Sequence, residues 1–375
     1  MNKKILGDLL EFGQKSKIKA SKGQSTGKFK FFTSSTIQDK FIDLSQYNEE
    51  SIIIGTGGNP NIHYCNEPFS VSTDCLVLTL RSEVDIVLLK YIYLYLKYNM
   101  HILEKGFRGA GLKHISKKYV QQIIVPIFPI STQQNYIKKM EHLESLEYNI
   151  QQQIYDLNVM VKSYFLDKVG PNHTQYSTWP IYKIEELASQ TKGSIRSGPF
   201  GSNLKHSEFT DEGIFVLGID NAVQNTFAIG KERYISNEKY KELKRYTVYP
   251  NDVIITIMGT TGRSAVVPDT IGTTITTKHL ATLTLNQNLC VSEYISYCIH
   301  SHPEILYQIQ LKNKGAIMDG LNLGIIKNLQ LHLPPISLQK QFKKVLKLKD
   351  SMLVKYREQL KEIQLLKQKV VNSHF

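Results

Sequence analysis

No run of eighteen apolar residues occurs anywhere in the 375-residue chain, which excludes a membrane-spanning helix of ordinary length. The N-terminal stretch from Met1 to Lys17 also lacks the apolar segment of a secretory signal, so a cytoplasmic location is expected. Cysteine is scarce. Cys65, Cys75, Cys290 and Cys298 form no C-x-x-C pair and have no histidine pair at zinc spacing, which leaves free thiols in a reducing compartment and no structural metal. Signatures of catalysis are missing too. The turn Gly259-Thr260-Thr261-Gly262-Arg263-Ser264 has neither the lysine nor the spacing of a phosphate-binding nucleotide loop. Leu333-Pro334-Pro335-Ile336 lacks the amide or carboxylate and the aromatic ring with which an adenine methyltransferase grips a flipped base. Pro268-Asp269 has no trailing lysine of the kind a nuclease needs, and no G-x-S-x-G occurs. The chain is therefore expected to be non-enzymatic by itself.

What is abundant is lysine. Net charge is +13 and the pI is about 9.3, a balance that favours a polyanion, nucleic acid before membrane. With 39 lysines against seven arginines, an AT-rich genome is the competing explanation. The excess is uneven: residues 335–375 hold ten basic and three acidic residues, residues 129–170 four and five.

Two long helices organise the chain. Residues 129–170 start at Pro129 and Ser131, stop at Gly170-Pro171, and contain no internal proline or glycine between Ser131 and Val169. Leu143, Ile150, Leu157 and Tyr164 recur every seven residues, widened by Met140, Leu146, Ile154, Met160 and Val161. The segment after Pro335 repeats the pattern with Leu346, Leu353 and Leu360, flanked by Tyr356, Ile363 and Val370. These are coiled-coil seams, on helices roughly 50–60 Å long. The two are expected to pack on each other, with leftover faces for partner proteins.

Each helix follows one copy of a repeated plan. Ile5 to Leu9 is answered by Tyr182 to Leu187. Glu50 to Gly58, a β-branched strand ending in a Gly/Thr turn, is answered by Asp252 to Gly262; Phe69 to Leu80 by Thr274 to Leu285; the apolar helix Ile86 to Tyr98 by Ser292 to His300. A glycine-rich basic loop, Lys105 to Leu112, is answered by Lys314 to Leu321, and each copy ends in a strand and a proline. The offset is about 178 at the opening segments and 204–209 later, so the second copy carries roughly 26 extra residues, placed within residues 196–227. The predicted organisation is α+β: two similar domains over 1–128 and 171–333, with long helices over 129–170 and 334–375.

This order, with the P-I-S-x-Q-Q lead-ins Pro129 to Gln134 and Pro335 to Gln341, the paired Ser51–Gly58 and Asp252–Gly262 strands, and Ser197-Gly198-Pro199-Phe200-Gly201-Ser202-Asn203-Leu204, resembles the specificity subunit of type I restriction–modification systems over nearly the whole chain. The first copy has no counterpart of the S-G-P-F-G-S stretch, and its lead-in reads Pro126-Ile127-Phe128-Pro129 where the second has Pro334-Pro335. The resemblance implies a non-catalytic DNA-reading subunit. Each domain would read one half of a split sequence, and the antiparallel helices would act as ruler and as dock for methyltransferase subunits, with motor/nuclease subunits joining for cleavage. S-adenosylmethionine, ATP and magnesium would belong to those partners only. A coiled-coil adaptor, or a stand-alone DNA-binding regulator, is the alternative.

Base reading needs amides, guanidinium groups or hydroxyls on fixed loops, and phosphate contacts need cations and backbone N–H groups. In the first copy the candidates are Thr56, Asn59, Asn61, Lys105, Arg108, Lys113 and His114. In the second they are Arg196, Ser202, Asn203, Lys205 and His206, then Thr260, Thr261, Arg263, Lys278, His279, Lys312, Lys314 and Asn322. The plain readings are hairpin turns for both Gly/Thr stretches, a structural turn for Ser197 to Leu204, and a solvated strand end for Lys278-His279.

Overall fold

The computed structural model describes residues 2–313 and 320–374. The chain divides into two units, one formed by Met1–Gln152 with Tyr356–Phe375 and the other by Gln153–Lys355.

The first unit is built on two small sheets. Strands β1 (Leu10–Phe12), β2 (Phe29–Phe32), β3 (Ser51–Gly55), β4 (Ile62–Cys65), β5 (Phe69–Val71) and β6 (Cys75–Leu80) precede helix α1 (Leu89–Tyr98). One antiparallel sheet has the order β1-β6-β3-β4, with Ile52 opposite Leu78 and Ile54 opposite Leu76. The other sets β2 parallel to β5, with Phe32 opposite Val71. All of β3 is buried, which is why it reads as an uninterrupted β-branched run rather than an alternation. Phe32, Ile53, Phe69, Val71 and Val77 form the core between the sheets. Asn2–Ile5 pairs with Ile124–Ile127, so the unit's opening segment is held against the strand that leads into the long helix.

The second unit repeats this with β7 (Ile195–Ser197), β8 (Ile214–Leu217), β9 (Val253–Thr256), β10 (Ser264–Val266), β11 (Thr274–Thr276), β12 (Leu280–Leu283) and helix α3 (Ser292–Ser301). Its antiparallel sheet has the order β7-β12-β9-β10, β8 lies parallel to β11, and Leu217, Ile254, Ala265 and Leu280 lie in the core between them. Ile181–Lys183 closes on Gln330–His332. Hydrogen bonds identify matching positions: Leu6 N–H donates to Ile123 as Ile184 N–H does to Leu329, and Ser72 N–H donates to Phe32 as Thr277 N–H does to Leu217. The offset is thus 178 at Leu6, 185 at Phe32 and 201 between Gly55 and Thr256, which hold the same register against Cys75 and Leu280. The extra residues therefore do not all lie within 196–227. The largest step falls between β8 and β9: Tyr234–Ile235 pairs with β8 as Phe41–Ile42 pairs with β2, and Val248 faces Thr274 as Tyr47 faces Phe69, so the added part is the helix Asn237–Leu243 and the longer connections on either side of it.

The long helices are α2 (Ile130–Lys168) and α4 (Ile336–His374). On α2, Tyr136, Met140, Leu143, Ile150, Leu157, Val161 and Phe165 are buried; on α4, Phe342, Leu353, Ile363 and Val371. Tyr164, Leu346 and Leu360 are half-buried, and Tyr164 stacks on Phe342 at 6.2 Å between centroids. In the second unit Phe165 packs on Phe342 at 5.4 Å; in the first, Lys367 pairs with Glu147. The helices therefore run antiparallel. Leu146 and Met160, assigned to the stripe from sequence, are exposed, because the seam steps alternate three and four from Met140 and reach Glu147 and Val161 instead.

The P-I-S-x-Q-Q lead-in has a structural cause. Gln133 is fully buried; its amide oxygen accepts Leu88 N–H at 2.8 Å and its nitrogen donates to the carbonyls of Phe128 and Ile86. Gln339 repeats this, accepting Val291 N–H at 2.9 Å and donating to Pro334. Leu88 and Val291 precede the first turns of α1 and α3, so in each unit one glutamine ties a long helix to the start of a packing helix. No helix among the described residues is long and apolar enough to cross a membrane, and the four cysteines are free and buried.

Candidate nucleic-acid interface

The loops at one end of each antiparallel sheet gather in the same way. In the first unit, Thr56 continues β3 into the hairpin connection. Its N–H donates to the Asp74 carbonyl at 2.8 Å, and its own carbonyl accepts Ile115 N–H at 3.0 Å. In the second unit Ile257 does both: its N–H donates to His279 at 2.9 Å and its carbonyl accepts Leu321 N–H at 3.3 Å. Hairpin tip, the turn before the central strand and the late loop thus converge on one backbone position in each unit.

Around Thr56 the structure assembles Asn59, Arg108, Lys113 and His114. Arg108 and His114 exchange both backbone hydrogen bonds at 2.9 Å, and Gly58 N–H reaches the Lys113 carbonyl. The Gly109–Gly111 stretch is the exposed tip of this bridge, with Gly109 at φ +140°. Arg108, Lys113, His114 and Asn59 are exposed and Thr56 is half-buried. Lys105 is exposed at the C-terminal end of the short helix His101–Glu104 and is set apart from them. Asn61 is a correction. It is 3% exposed, accepts Gly55 N–H and donates to the Asn59 carbonyl, so its amide shapes the turn and is not offered to a ligand.

In the second unit the tip turns at Gly259 and Gly262, both in the left-handed region. Buried Thr256 closes it, its hydroxyl accepting Arg263 N–H at 3.0 Å and bonding the Thr260 carbonyl. Thr260 and Arg263 are exposed, Thr261 half-buried. Beside them stand Lys278, exposed, and His279, half-buried. Gly198 explains part of the S-G-P-F-G-S stretch: a Cβ there would collide with the carbonyls of Thr276 and Thr277, so only glycine lets the loop lie on that turn. The loop then presents Ser202, Asn203, Lys205 and His206 to solvent. Asn322 is spent as the N-cap of Leu323–Asn328, accepting Ile325 N–H at 2.9 Å. Lys312 is exposed near the end of the helix Pro303–Asn313, and Lys314 lies outside the described residues.

Arg196 is the second correction. Its guanidinium bonds Asp252 at 2.7 Å, Thr284 Oγ1 at 2.9 Å and the carbonyls of Thr247 and Gly193, with the Asp252 side chain 1% exposed. It is consumed inside the fold, at the sheet end away from the reader loops: Ile195 stands opposite Leu283 there, while Ser197 stands opposite Ala281 near the loops.

The sequence reading missed one cleft. His206, Lys231, Arg233 and His279 line a space of about 480 Å³ beside Ile219 and Asp220. Asp220 holds Arg233 at 2.6 Å and its carboxyl lies below the ordinary range although burial alone would raise it, because Arg233 and the Lys231 N–H bond it. Burial, then Lys278 and Arg233, lower the His279 pKa, and Glu232 lines the cleft with Asp220, so its formal charges balance. Lys231 and Arg233 lie in the connection between β8 and Tyr234, which is longer than its counterpart between β2 and Phe41, and the jump in offset was the available signal. Among the described residues no group of three or more histidine, cysteine or acidic side chains could hold a metal.

The sequence matches the family described as type I restriction modification DNA specificity domain over residues 1–156 and 172–364. The chain belongs to that family. Its part is that of a DNA sequence-specificity subunit, with one specificity domain in each half. A curated relative, the type I restriction enzyme MjaVIII specificity subunit of Methanocaldococcus jannaschii, is 21% identical over 364 residues, covering 90% of this chain and 81% of its own length. The fold is similar to that of the type I restriction–modification S subunit from M. genitalium, with a TM-score of 0.64 at 16% identity, 99% of this chain and 94% of that one. A second similar structure, from work on complex assembly and conformational transition of the type I system, gives a TM-score of 0.56 at 14% identity over 99% and 96%.

Proposed function

We propose that each specificity domain reads one half of a bipartite DNA site, and that partner subunits methylate adenine in each half or cleave. The carrying observation is the paired arrangement at the sheet ends. Thr56 and Ile257 fix the same three loops by the same backbone bonds, while the side chains displayed differ: Thr56, Asn59, Arg108, Lys113 and His114 in one, Thr260, Thr261, Arg263, Lys278 and His279 in the other. One frame with two sets of contacts suits two half-sites of unlike sequence. Hydroxyl, amide and guanidinium groups would meet base edges and the lysines phosphates.

The chain itself would perform no chemistry. Methyltransferase subunits would dock on the helices and domains, bring S-adenosylmethionine, and flip the adenines; motor/nuclease subunits would bring ATP and magnesium. The test is to exchange residues 1–127 for those of a relative and map methylated adenines in cells expressing all subunits. One half-site should change and the other persist. A change in both, or in neither, would refute the modular reading.

A further inference from the structure

At the end of the second antiparallel sheet away from the reader loops lies a cleft of about 570 Å³. We propose that it binds a single unpaired nucleotide, through its phosphate and its base. The volume is that of a small-ligand site, too small to admit a stacked duplex.

Its lining has the chemistry of such a ligand. Lys192, Lys244 and Arg245 are exposed cations around it, and no carboxylate lines it. Arg196 lies at its floor, neutralised and fixed by Asp252, so the rim cations supply the net charge. Two rings complete it. Tyr249 is 55% exposed, and its ring faces the Arg196 guanidinium at 5.8 Å. Arg245 lies over the Tyr246 ring at 4.7 Å. Cations beside accessible rings are how proteins hold unpaired nucleotides: the charge takes the phosphate and the ring stacks the base. Lys244 and Arg245 lie in a connection that is longer than its counterpart in the first unit, and Tyr249 stands where that unit has Asn48, so the pairing of cations and ring is particular to the second.

The site is separate from the reader surface. Strand β12 of four residues lies between its two ends, roughly 13 Å at the rise of a strand. The proposal does not rest on the half-site reading, and its test keeps the two apart. Binding of a labelled ten-residue oligothymidylate to the full chain is followed by fluorescence anisotropy at low salt, with AMP as competitor. The variant Lys244→Ala/Arg245→Ala should weaken it at least tenfold and Tyr249→Ala several-fold. Both should bind a duplex carrying the recognition site within twofold of wild type, with unchanged circular dichroism. Competition by AMP identifies a free nucleotide as sufficient; binding without such competition identifies a single strand. The proposal is overturned if neither probe binds at millimolar concentration, if the variants bind the oligonucleotide like wild type, or if a ten-base-pair duplex competes as well as the strand.

Discussion

Two buried glutamines do for this fold what a sequence pattern cannot announce. Gln133 and Gln339 each satisfy the N–H that opens a packing helix and the carbonyls that precede a long one. Replacing Gln133 with alanine leaves Leu88 N–H without its acceptor inside the unit, a loss of about 1–3 kcal/mol. Hydrogen exchange should quicken at Leu88 and stay unchanged at Val291; Gln339→Ala should do the reverse. Equal acceleration at both would show that the two ties are not local. The lead-in motif was legible as a repeat, but that its first glutamine is the anchor was not, since Gln134 and Gln341 are equally polar on paper. The same limit explains Asn61 and Arg196: residue type announces hydrogen-bonding capacity, and only the fold decides whether it is spent internally.

His302 carries a pH dependence. It is fully buried. Its Nδ1 accepts Glu304 N–H, which leaves the Nε2 proton to meet the Tyr176 hydroxyl at 3.1 Å, and that hydroxyl donates to the Glu304 carboxylate at 2.8 Å. Burial pushes its pKa down to about 4, with Glu304 raising and His332 lowering it. Below about pH 6.5 the unfolded chain takes up a proton that the folded chain refuses until about pH 4, so stability falls as the solution is acidified through that window. The loss approaches about 3 kcal/mol at its acid end. Urea midpoints between pH 7.5 and 4.5 should fall, and His302→Gln should flatten the decline; an equally steep decline in the variant would place its origin elsewhere.

At the scale of elements the seams were the most legible feature, because a heptad spacing survives whatever surrounds it. What the spacing hid was a charge inside the stripe. Counting from Met140 in alternating steps puts Glu147 on the seam, and its partner Lys367 has a side chain only 11% exposed. Lys367 also faces the Tyr98 ring at 6.0 Å, while Glu144 accepts from both Lys97 and Tyr98. A polar pair in an apolar seam penalises slippage, since any other register strands a charge against hydrocarbon. Glu147 is itself 26% exposed, so Lys367→Ala should cost about 1–3 kcal/mol, the loss of a partly buried hydrogen-bond partner, and Glu147→Leu/Lys367→Leu should restore thermal stability to wild type or above. A double variant less stable than the single one would show that the pair acts by its own attraction and not by specifying register. The insertion in the second unit was legible as a jump in offset, but its place was not, because the sequence offers no paired landmark between the opening segments and the strands at Glu50 and Asp252.

For the whole molecule, the duplication foretold two similar units and two long helices, and no side-chain pattern could foretell what sequence the loops address. The spacer is the more tractable quantity. One heptad inserted in α2 after Leu157, matched by one in α4 after Leu353, keeps the seam in phase, because seven residues return the same face to the partner helix. Three or four residues would rotate it. The addition lengthens the pair by about 10 Å, which corresponds to about three base pairs at 3.4 Å each. If the helices set the gap, the methylated half-sites should keep their sequences and stand about three base pairs further apart. Methylation should also slow, since three base pairs turn the next groove through about 100° at 10–10.5 pairs per turn, whereas a heptad leaves the helix face almost unrotated, so duplex or complex must twist. Lengthening α2 alone should abolish folding or assembly. An unchanged gap in the matched variant, with assembly intact, would mean that partner subunits and not these helices measure the distance.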